Sequence, residues 1–306
     1  MKIIVTGGAG FIASHIVDAY IKEGHTVVVI DNLNTGFRKN LNPKARFYEA
    51  DLRDLPAIEK IFEKERPEIV NHHAALAEVV KSVLNPMPTY EVNVLGTANV
   101  LLSFGRFGKG KNKKFIFSST GGAIYGEPKK IPASESTPEM PLSPYGLSKL
   151  LGEELIHFYA RTYKFDYYIF RYANIYGPRQ NPKGEAGVIA IFGGLMKKNL
   201  RPIIFGDGTK ARDYVFVLDV VAANVKALHK GKNVTTNIGW GKLVSDKLIF
   251  ETIASDLSYK EKVRYAPYRP GEVYKISLDA KKARKILSWS PKVGLKEGIE
   301  ATLKTI

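Results

Sequence analysis

The sequence predicts an α/β protein with a doubly wound parallel sheet and a smaller C-terminal α/β lobe. Apolar strand patterns alternate with helical patterns through the first 173 residues, as they do in sheets covered by helices on both faces. A glycine-rich turn at residues 7–10 separates the first strand from the first helix, and Asp31 ends the second strand. After Arg171 the predicted elements become shorter and turn residues more frequent, which indicates a second structural unit.

The first half of the chain alternates strands and helices in regular order. Runs of β-branched and aromatic residues predict strands at residues 2–5, 27–30, 46–49, 68–72, 115–118 and 167–171. Helical spacing of apolar residues between turn signals predicts helices from residue 11 to Gly24 and over residues 56–64, 88–107 and 144–163. This alternation implies right-handed crossovers and a parallel sheet that binds ligands at the carboxyl ends of its strands.

The second half predicts a helix near 188–198, strands at 202–204 and 214–217, a helix over 218–229 and a strand at 236–238. Residues 221–228 and 236–238 are expected to return to the first sheet. The predicted division is therefore a sheet domain of residues 1–173 plus a returning segment of about 217–240. The lobe is then formed by residues 174–216 and 241–306.

The composition excludes several classes of protein. The chain of 306 residues has no cysteine, which excludes disulfides, thiolate metal sites and cysteine nucleophiles. It has no long uncharged apolar run, and its first strand follows the N-terminus directly, so neither a transmembrane helix nor a signal peptide is expected. We therefore expect a cytoplasmic protein without a membrane partner.

The net charge of +16 raises the question of nucleic-acid binding. The lysines lie in separate groups, near residues 109–114, 197–198 and 281–285, rather than along one helix interleaved with aromatic residues. We therefore interpret the charge as a solvated surface whose field attracts an anionic substrate, and expect no nucleic-acid partner. Lysine richness without cysteine is also typical of thermophilic proteins.

The glycine-rich turn has the features of a dinucleotide-binding unit. Gly7 permits the tight turn, and Gly10 lets the backbone approach a pyrophosphate. The third position of the fingerprint is Ala13, which is small enough for a helix to pack on a strand. The N-terminus of the following helix offers free N–H groups and a positive dipole end to the phosphates.

Asp31 is the expected acidic partner of the adenosine ribose. It lies twenty-one residues after Gly10, close to the usual offset of about 20. Its carboxylate accepts hydrogen bonds from a ribose 2′-hydroxyl and repels a 2′-phosphate, which favours NAD over NADP. Arg38 and Lys39 follow closely and are able to pair with a phosphate, so NADP stays an alternative at this stage.

Tyr145 and Lys149 are the candidate catalytic pair. Their spacing of four residues places them on one face of the predicted helix. A nearby ammonium favours the phenolate of a tyrosine, whose ordinary pKa of about 10 makes it a poor base at neutral pH. Such a pair removes a proton from a sugar hydroxyl as hydride leaves the same carbon. A hydroxyl of the stretch 118–126, from Thr120 or Ser119, is expected to share the proton.

Together these motifs resemble the Rossmann-type extended short-chain dehydrogenase/reductases, and within them most the UDP-glucose (UDP-galactose) 4-epimerases. The matching stretches extend over nearly the whole chain and lie at residues 6–12, 31–32, 51–52, 73–75, 93–97, 118–120, 145–149, 171–179, 205–208, 212–214 and 269–273.

The resemblance implies a set of site residues for NAD and for a UDP-sugar. The catalytic residues would be Tyr145, Lys149 and Thr120. The NAD-binding residues would be Gly7, Gly10, Phe11, Ile12, Asp31, Asn32, Asn34, Thr35, Gly36, Asp51, Leu52, His73, Ala74, Ala75, Asn93, Ser118, Tyr145, Lys149 and Tyr172. The substrate-binding residues would be Thr120, Gly121, Gly122, Tyr145, Asn174, Val188, Arg212, Arg269 and Glu272.

The implied reaction is epimerisation at C4 of a UDP-hexose through a 4-keto intermediate, with Tyr145 as acid and base and NAD regenerated in each cycle. Arg212 and Arg269 would clamp the diphosphate, as guanidinium groups do. The choice of UDP over another nucleotide rests on the resemblance. Ile276 falls where the family has a residue that gates hexoses against N-acetylhexosamines, and its intermediate size leaves a UDP-N-acetylglucosamine 4-epimerase open.

Other functions are disfavoured by particular residues. A nucleotide-sugar 4,6-dehydratase would resemble its relatives in placing carboxylates after Thr120, where this chain has Gly121 and Gly122. A non-catalytic NAD-binding regulator has no need of the pair Tyr145 and Lys149.

Two further expectations concern metal ions and assembly. We interpret His72-His73 as structural, with no metal site, because neither an HExxH pattern nor acidic partners accompany them. The resemblance implies a homodimer through the helices at 88–107 and 144–163.

Overall fold

The structure, a computed structural model, describes residues 1–184 and 187–306. Its strands in chain order are β1 (Lys2–Thr6), β2 (Thr26–Asp31), β3 (Arg46–Glu49), β4 (Ile69–His72), β5 (Lys114–Thr120), β6 (Asp166–Tyr172), β7 (Asn174–Tyr176), β8 (Ile203–Phe205), β9 (Ala211–Arg212), β10 (Tyr214–Phe216), β11 (Val234–Ile238), β12 (Val244–Ser245), β13 (Arg264–Ala266) and β14 (Lys275–Ile276).

The helices are α1 (Phe11–Lys22), α2 (Leu55–Glu65), α3 (Val79–Leu84), α4 (Met87–Tyr90), α5 (Gly96–Phe107), α6 (Gly121–Ile124), α7 (Pro144–Tyr163), α8 (Val188–Met196), α9 (Val217–His229), α10 (Asp246–Asp256), α11 (Lys281–Leu287) and α12 (Leu295–Leu303). A 3₁₀ turn spans Arg38–Asn40, and a π-helical turn spans Glu91–Leu95. None of the helices in the described ranges is long and apolar enough to cross a membrane.

The predicted doubly wound parallel sheet is confirmed. Seven strands pair in the order β11-β6-β5-β4-β1-β2-β3, and every pair in this sheet is parallel. The chain runs from β1 outward to β3 on one side, and from β4 outward to β6 and β11 on the other. The reversal between β1 and β4 opens a crevice at the carboxyl ends of these strands, where ligands bind in such sheets.

Helices cover both faces of this sheet. On one face α1 packs against α9, and α11 packs against α9 and β11. On the other face α2 packs against α5, and α5 packs against α7. The two apolar cores beneath them include Ile3, Val5 and Val29 on the first face, and Ile4, Val28 and Ile30 on the second. Because successive strand residues point to opposite faces, these continuous apolar runs are those of strands buried on both sides.

Helix α7 has the bounds that the sequence predicts, because its ends carry local signals. The Ser143 hydroxyl accepts a hydrogen bond from Gly146 N over 3.2 Å, and Pro144 occupies the first helical position. After Tyr163 the backbone of Lys164 turns left-handed, with φ of 54°, which ends the helix.

The helix predicted over residues 88–107 is composite. It consists of α4, the π-helical turn and α5, and the helix α3 before it was not predicted. Gly105 lies inside α5 and does not end it. A Cβ at this position would come within 2.4 Å of the Tyr163 ring. The glycine thus lets α5 pack closely against the end of α7.

The lobe consists of short elements around a third apolar core, which includes Tyr176, Phe192 and Ile249. β10 pairs with β7, β13 pairs with β8, and β9 lies between β12 and β14. Helices α8, α10 and α12 pack together around them. One boundary differs from the prediction, because α11 packs on the large sheet, where Ala283 and Leu287 lie in its core, although 241–306 was expected to belong wholly to the lobe.

Candidate active site

A cavity of about 920 Å³ lies between the carboxyl ends of the large sheet and the lobe. Most of the residues that the sequence predicts as site residues line this cavity. They are Gly7, Gly10, Phe11, Ile12, Asp31, Asn32, Asn34, Thr35, Asp51, Leu52, His73, Ala74, Ala75, Ser118, Thr120, Gly122, Tyr145, Lys149, Tyr172, Asn174, Val188, Arg212, Arg269 and Glu272.

Asn93 is a predicted cofactor residue that does not line the cavity. Its side chain accepts a hydrogen bond from Leu76 N over 2.8 Å and donates to Leu76 O and to the Ser148 hydroxyl over 3.0 and 2.9 Å. The Asn93 amide thus links the cavity-lining loop at Leu76 to Ser148 of α7. Asn93 lies in the π-helical turn, which displaces it from the ordinary register of a helix.

Gly36 and Gly121 are the other two predicted residues that lie behind the cavity wall. A Cβ at Gly36 would lie 2.9 Å from Ala9 Cβ, so this glycine lets its loop pack on the glycine-rich turn. A Cβ at Gly121 would lie 2.4 Å from Leu278 Cδ1, so this position brings the end of β5 against the segment that follows β14. Both positions shape the cavity without bordering it.

The glycine-rich turn borders one end of the cavity. Gly7 has φ of +70°, and a Cβ there would lie 2.7 Å from Ala74 N, so only glycine allows this approach between the two loops. Gly10 precedes α1, and Gly10 with the first helical residues Phe11 and Ile12 lines the cavity, so the N-terminus of α1 borders it. Ala13 is buried where α1 packs on the sheet, as expected for the third position of the motif.

Asp31 is held in place by the backbone. Its carboxylate accepts hydrogen bonds from Ala9 N over 3.0 Å and from Leu33 N over 2.8 Å. Burial raises the pKa of Asp31, while these two N–H groups lower it. Arg38, which the sequence offers as a partner of a 2′-phosphate, instead forms an ion pair with Glu49 at the end of the neighbouring strand and does not line the cavity.

Asp51 is anchored by an arginine that sequence reasoning missed. Arg53 Nε and Nη2 donate to the two Asp51 carboxylate oxygens over 2.9 Å each, and Asn32 Nδ2 donates to the same group over 3.0 Å. The hydrogen bonds from Arg53 lower the pKa of Asp51 well below its usual range. The only local signal for Arg53 is its position two residues after Asp51.

Tyr145 and Thr120 meet at the centre of the cavity, where their side chains are hydrogen-bonded to each other. Burial raises the pKa of Tyr145 to about 12, and the hydrogen bond from Thr120 lowers it. A nearby Lys149 ammonium alone was expected to lower the pKa of Tyr145. The pKa is raised instead, because burial disfavours the phenolate more than the surrounding groups favour it. Tyr145 N lies in the first turn of α7, where backbone N–H groups have no intrahelical acceptor, and it donates to the Ser82 hydroxyl over 3.1 Å.

Lys149 lies one turn further along α7 and is 4% exposed. Its Nζ donates to Ser118 O over 2.8 Å and lies 4.9 Å from the centre of the Phe117 ring. Burial lowers the pKa of Lys149 to about 7, and the negative charge of Glu153 raises it. The ammonium is therefore fixed at the end of β5, within the cavity that Tyr145 also lines.

The hydrogen bonds of Thr120 and Ser119 favour Thr120 as the hydroxyl partner of Tyr145. The Ser119 hydroxyl donates to Glu153 Oε1, and Arg171 binds the same carboxylate through Nε and Nη2. Ser119 is thus engaged in a buried network, whereas Thr120 contacts Tyr145 directly.

The two adjacent histidines occupy different surroundings. His72 is buried between the hydroxyls of Thr6 and Thr97, at 2.6 and 2.9 Å, and burial lowers its pKa well below the ordinary value. His73 lines the cavity beside Tyr172, and burial lowers its pKa to about 3. Both rings are therefore neutral at physiological pH. Within residues 1–184 and 187–306, no group of His, Asp or Glu side chains could hold a metal ion.

The lobe end of the cavity carries three cations and two carboxylates. Arg212 is buried in β9, and its Nη1 donates to the carbonyls of Ala211 and Tyr274 over 3.2 and 2.9 Å. Arg269 lies with its guanidinium 4.3 Å from the centre of the Phe205 ring.

The remaining charged groups at this end are Glu272, Lys210 and Asp246, of which the last two were not predicted. Arg269 Nη2 and Lys210 Nζ bind Glu272 over 2.6 and 3.1 Å, and Lys210 also lies 3.2 Å from Asp246. Burial alone would raise the pKa of Glu272, but Arg269 and Lys210 hold it below its usual value. Lys210 could have been found as the residue two before Arg212, whereas Asp246 carries no sequence signal.

The acidic residues of the cavity lie at its two ends. Among the described residues, the carboxylates that line it are Asp31, Asp51, Asp246 and Glu272. None of them belongs to the segment that follows Thr120. Ile276, the expected gate residue, lies in β14 with its side chain buried in the apolar core, and it does not line the cavity.

Comparison with known proteins gives consistent matches over the full length of the chain. The family model described as the NAD dependent epimerase/dehydratase family matches residues 3–239. A UDP-glucose 4-epimerase of Mycolicibacterium smegmatis is 38% identical over 310 residues, which cover 99% of this chain and 98% of the relative.

Two solved structures also superpose closely. A UDP-glucose 4-epimerase of Thermotoga maritima with UDP-glucose has a TM-score of 0.97 at 46% identity and covers 100% of this chain and 98% of its own. A UDP-glucose 4-epimerase of Thermus thermophilus in complex with NAD has a TM-score of 0.95 at 40% identity, with the same coverage. The chain therefore belongs to the NAD dependent epimerase/dehydratase family.

Proposed function

We propose that this protein is an NAD-dependent UDP-hexose 4-epimerase that interconverts UDP-galactose and UDP-glucose, a reaction of galactose metabolism. The observation that carries the proposal is one continuous cavity with three chemically distinct parts. Asp31 lies at one end, Tyr145 with Thr120 and Lys149 at the centre, and the Arg212 end under the lobe. The relatives of Mycolicibacterium smegmatis and Thermotoga maritima, which match over nearly the full chain, are named UDP-glucose 4-epimerases, and this supports the same substrate class.

The residues at the Asp31 end fit NAD. Gly10 and the N-terminus of α1 border the cavity where a pyrophosphate would lie, and each Asp31 oxygen keeps a lone pair for a ribose hydroxyl. Arg38 is paired with Glu49, and neither Arg38 nor Lys39 lines the cavity, so the two cations that the sequence offers for NADP lie away from it. We propose that residues 1–173 and about 217–240 form this NAD-binding domain, and that the lobe binds the nucleotide sugar.

Asp31→Asn is expected to reduce discrimination against NADP. The neutral amide no longer repels a 2′-phosphate and accepts a weaker hydrogen bond from the ribose. We expect the ratio of NAD to NADP affinity to fall by about 10–100-fold, the worth of a hydrogen bond to a charged group. Titration of the cofactor-free protein with both dinucleotides measures the ratio. Asp54→Asn, which caps α2 outside the cavity, should leave it unchanged.

The chain positions its own groups for proton transfer at the sugar C4 hydroxyl. We propose that the Tyr145 oxygen takes the hydroxyl proton and later returns it, with Thr120 sharing that proton through their hydrogen bond. When bound, NAD supplies reversible hydride acceptance at C4, so the sugar passes through a 4-ketone without net oxidation. The Lys149 ammonium and a positively charged nicotinamide both favour the Tyr145 phenolate, and thereby oppose the effect of burial.

The lobe end is proposed to bind the nucleotide sugar. Arg212 and Arg269 present guanidinium groups that suit a diphosphate, and Arg212 has no carboxylate partner among the described residues. Asn174 and Val188 line the cavity on the lobe side of Tyr145 and are proposed to contact the substrate.

A 4,6-dehydratase is the alternative reaction of the same family. Elimination of water across C5–C6 needs an acid and a base beside the ketone, and the described cavity offers no carboxylate next to Thr120. A UDP-N-acetylglucosamine 4-epimerase stays an alternative, because Ile276 does not border the cavity and so does not set its breadth.

The proposed function is tested by proton NMR of the anomeric signals after incubation of the purified protein with UDP-galactose and NAD. We expect UDP-glucose to appear until the two sugars reach equilibrium. No new sugar would contradict the proposal, and a 4-keto-6-deoxy signal would assign the dehydratase reaction instead. Parallel incubation with UDP-N-acetylgalactosamine decides the range of substrates.

We further propose that the protein is a cytoplasmic homodimer, with α7 in the interface. Leu147, Leu151 and Phe158 lie at a spacing of four and seven residues on one face of α7, and their side chains are exposed. Leu95 of the π-helical turn, which packs against α7, is also exposed. A solvent-facing stripe on the helix that packs against α5 fits a partner copy better than free solvent.

Phe158→Glu is expected to dissociate the dimer, because a carboxylate in an apolar interface is costly to bury. Sedimentation velocity should change from a mass near 68 kDa, twice the chain mass of 34.0 kDa, to that of one chain. Leu218→Glu, an equally exposed leucine on α9, should leave the mass unchanged. A wild-type protein that sediments as one chain would contradict the proposal.

A further inference from the structure

The lobe end of the cavity contains a lysine that the proposed mechanism does not use. Lys210 lines the cavity next to Arg212, and its side chain is 8% exposed. A buried ammonium needs charged or polar partners, because an unpaired buried charge is strongly destabilising. The partners of Lys210 are Asp246 at 3.2 Å and Glu272 at 3.1 Å, and both of these carboxylates also line the cavity.

The hydrogen bonds of this cluster leave donors without acceptors. An ammonium has three N–H groups, and the two carboxylates account for two of those on Lys210. Arg269 Nε is buried without a hydrogen-bond partner, although its Nη2 binds Glu272. The Nη1 group of Arg212 reaches only backbone carbonyls. All three cations therefore retain donors that an additional acceptor could use.

The charges of the cluster are also unequal. Three cations, Lys210, Arg212 and Arg269, face two carboxylates, Asp246 and Glu272, so one positive charge is uncompensated within this set. In a cavity of low dielectric constant, this excess positive charge attracts an anion more strongly than it would in water. An anion with several oxygens would satisfy both the open donors and the missing charge.

We propose that Lys210 is a third cationic ligand of the substrate diphosphate, beside Arg212 and Arg269, and that Asp246 and Glu272 hold its ammonium in position. The inference rests on the proposed function, because it assigns a contact to the nucleotide sugar named there. If Lys210 served only to neutralise the two carboxylates, its loss would weaken the binding of UDP and of uridine equally. A phosphate ligand instead contributes to binding only when the phosphates are present.

The test compares UDP and uridine as competitors of UDP-galactose turnover by the NAD-loaded protein. Lys210→Met keeps the length of the side chain and removes the ammonium. We expect its UDP inhibition constant to rise by about 10–100-fold, as for a lost hydrogen bond between charged groups. The uridine inhibition constant should change by less than about threefold, so the ratio of the two constants falls by about tenfold or more.

Two further variants separate the possible causes. Lys247→Met removes a charge from the neighbouring turn of α10, where the side chain is 63% exposed, and should change neither constant. Lys210→Met combined with Asp246→Asn removes the carboxylate that Lys210 would leave unpaired, and should show the same selective loss for UDP if the single variant folds poorly.

Equal loss of UDP and uridine binding in both variants would overturn the inference and assign Lys210 a structural role. Unchanged UDP binding would overturn it as well, while leaving the proposed epimerase function intact. Failure of the wild-type protein to bind UDP would instead reject the proposed function, and the inference with it.

Discussion

Tyr145→Phe is expected to reduce epimerisation by about 10²–10⁴-fold, the usual contribution of a positioned acid or base. Phenylalanine keeps the ring but removes the oxygen that is hydrogen-bonded to Thr120 and that is proposed to carry the proton. UDP binding should change little, because the diphosphate contacts lie at the Arg212 end of the cavity. The rate follows from the anomeric NMR signals, and the affinity from competition with UDP.

Tyr159→Phe is the matched control, since Tyr159 lies on the same helix and packs on Tyr163 outside the cavity. It should retain wild-type turnover. If Tyr145→Phe kept activity within a few-fold of wild type, another group would have to transfer the proton, and the central assignment of the site would fail.

Asp213→Ala is expected to cause the largest loss of stability. Asp213 is 1% exposed and accepts hydrogen bonds from Trp240 N and Gly241 N over 2.9 Å each and from Leu278 N over 3.1 Å. Alanine leaves these three N–H groups without their acceptor, at a cost of about 1–3 kcal/mol each. We expect the free energy of unfolding to fall by about 3–6 kcal/mol, measured by urea denaturation.

The reason for this sensitivity is the position of Asp213 between β9 and β10. Its three partners follow β11 and β14, so one carboxylate joins the lobe to the edge of the large sheet. Asp213→Asn should restore little of this stability, because the NH₂ group of its amide would face backbone N–H groups that also donate. Asp207→Ala removes an exposed carboxylate from the same region and should leave the urea midpoint near wild type. An unchanged midpoint in Asp213→Ala would contradict the expectation.

The large sheet could be predicted from the sequence because its signals are local. Each central strand is an apolar run, and the ends of α7 are marked by Ser143, Pro144 and the turn at Lys164. Asp31 and the glycine-rich turn also lie at positions that chain order alone defines. These features require no knowledge of distant contacts.

The rest could not be predicted because it depends on contacts between distant residues. β9, β12 and β14 have two residues each, too few for a periodic pattern, and pairing alone defines them. Asn93 does not line the cavity and lies in a π-helical turn. No residue type in the sequence predicts such a turn. Asp246 and Lys210 come together only when the lobe folds.

The place of β11 at the edge of the large sheet affects how the nascent chain can fold. β11 completes the sheet by pairing with β6, and the partners Tyr172 and Ile238 are 66 residues apart. During synthesis at about 5–20 residues per second, the β6 edge stays unpaired for about 3–13 seconds while the lobe segment is added. An open edge strand is a template for pairing with other chains. We therefore expect the nascent chain to be most prone to pairing with other chains during this interval, before β11 covers the β6 edge.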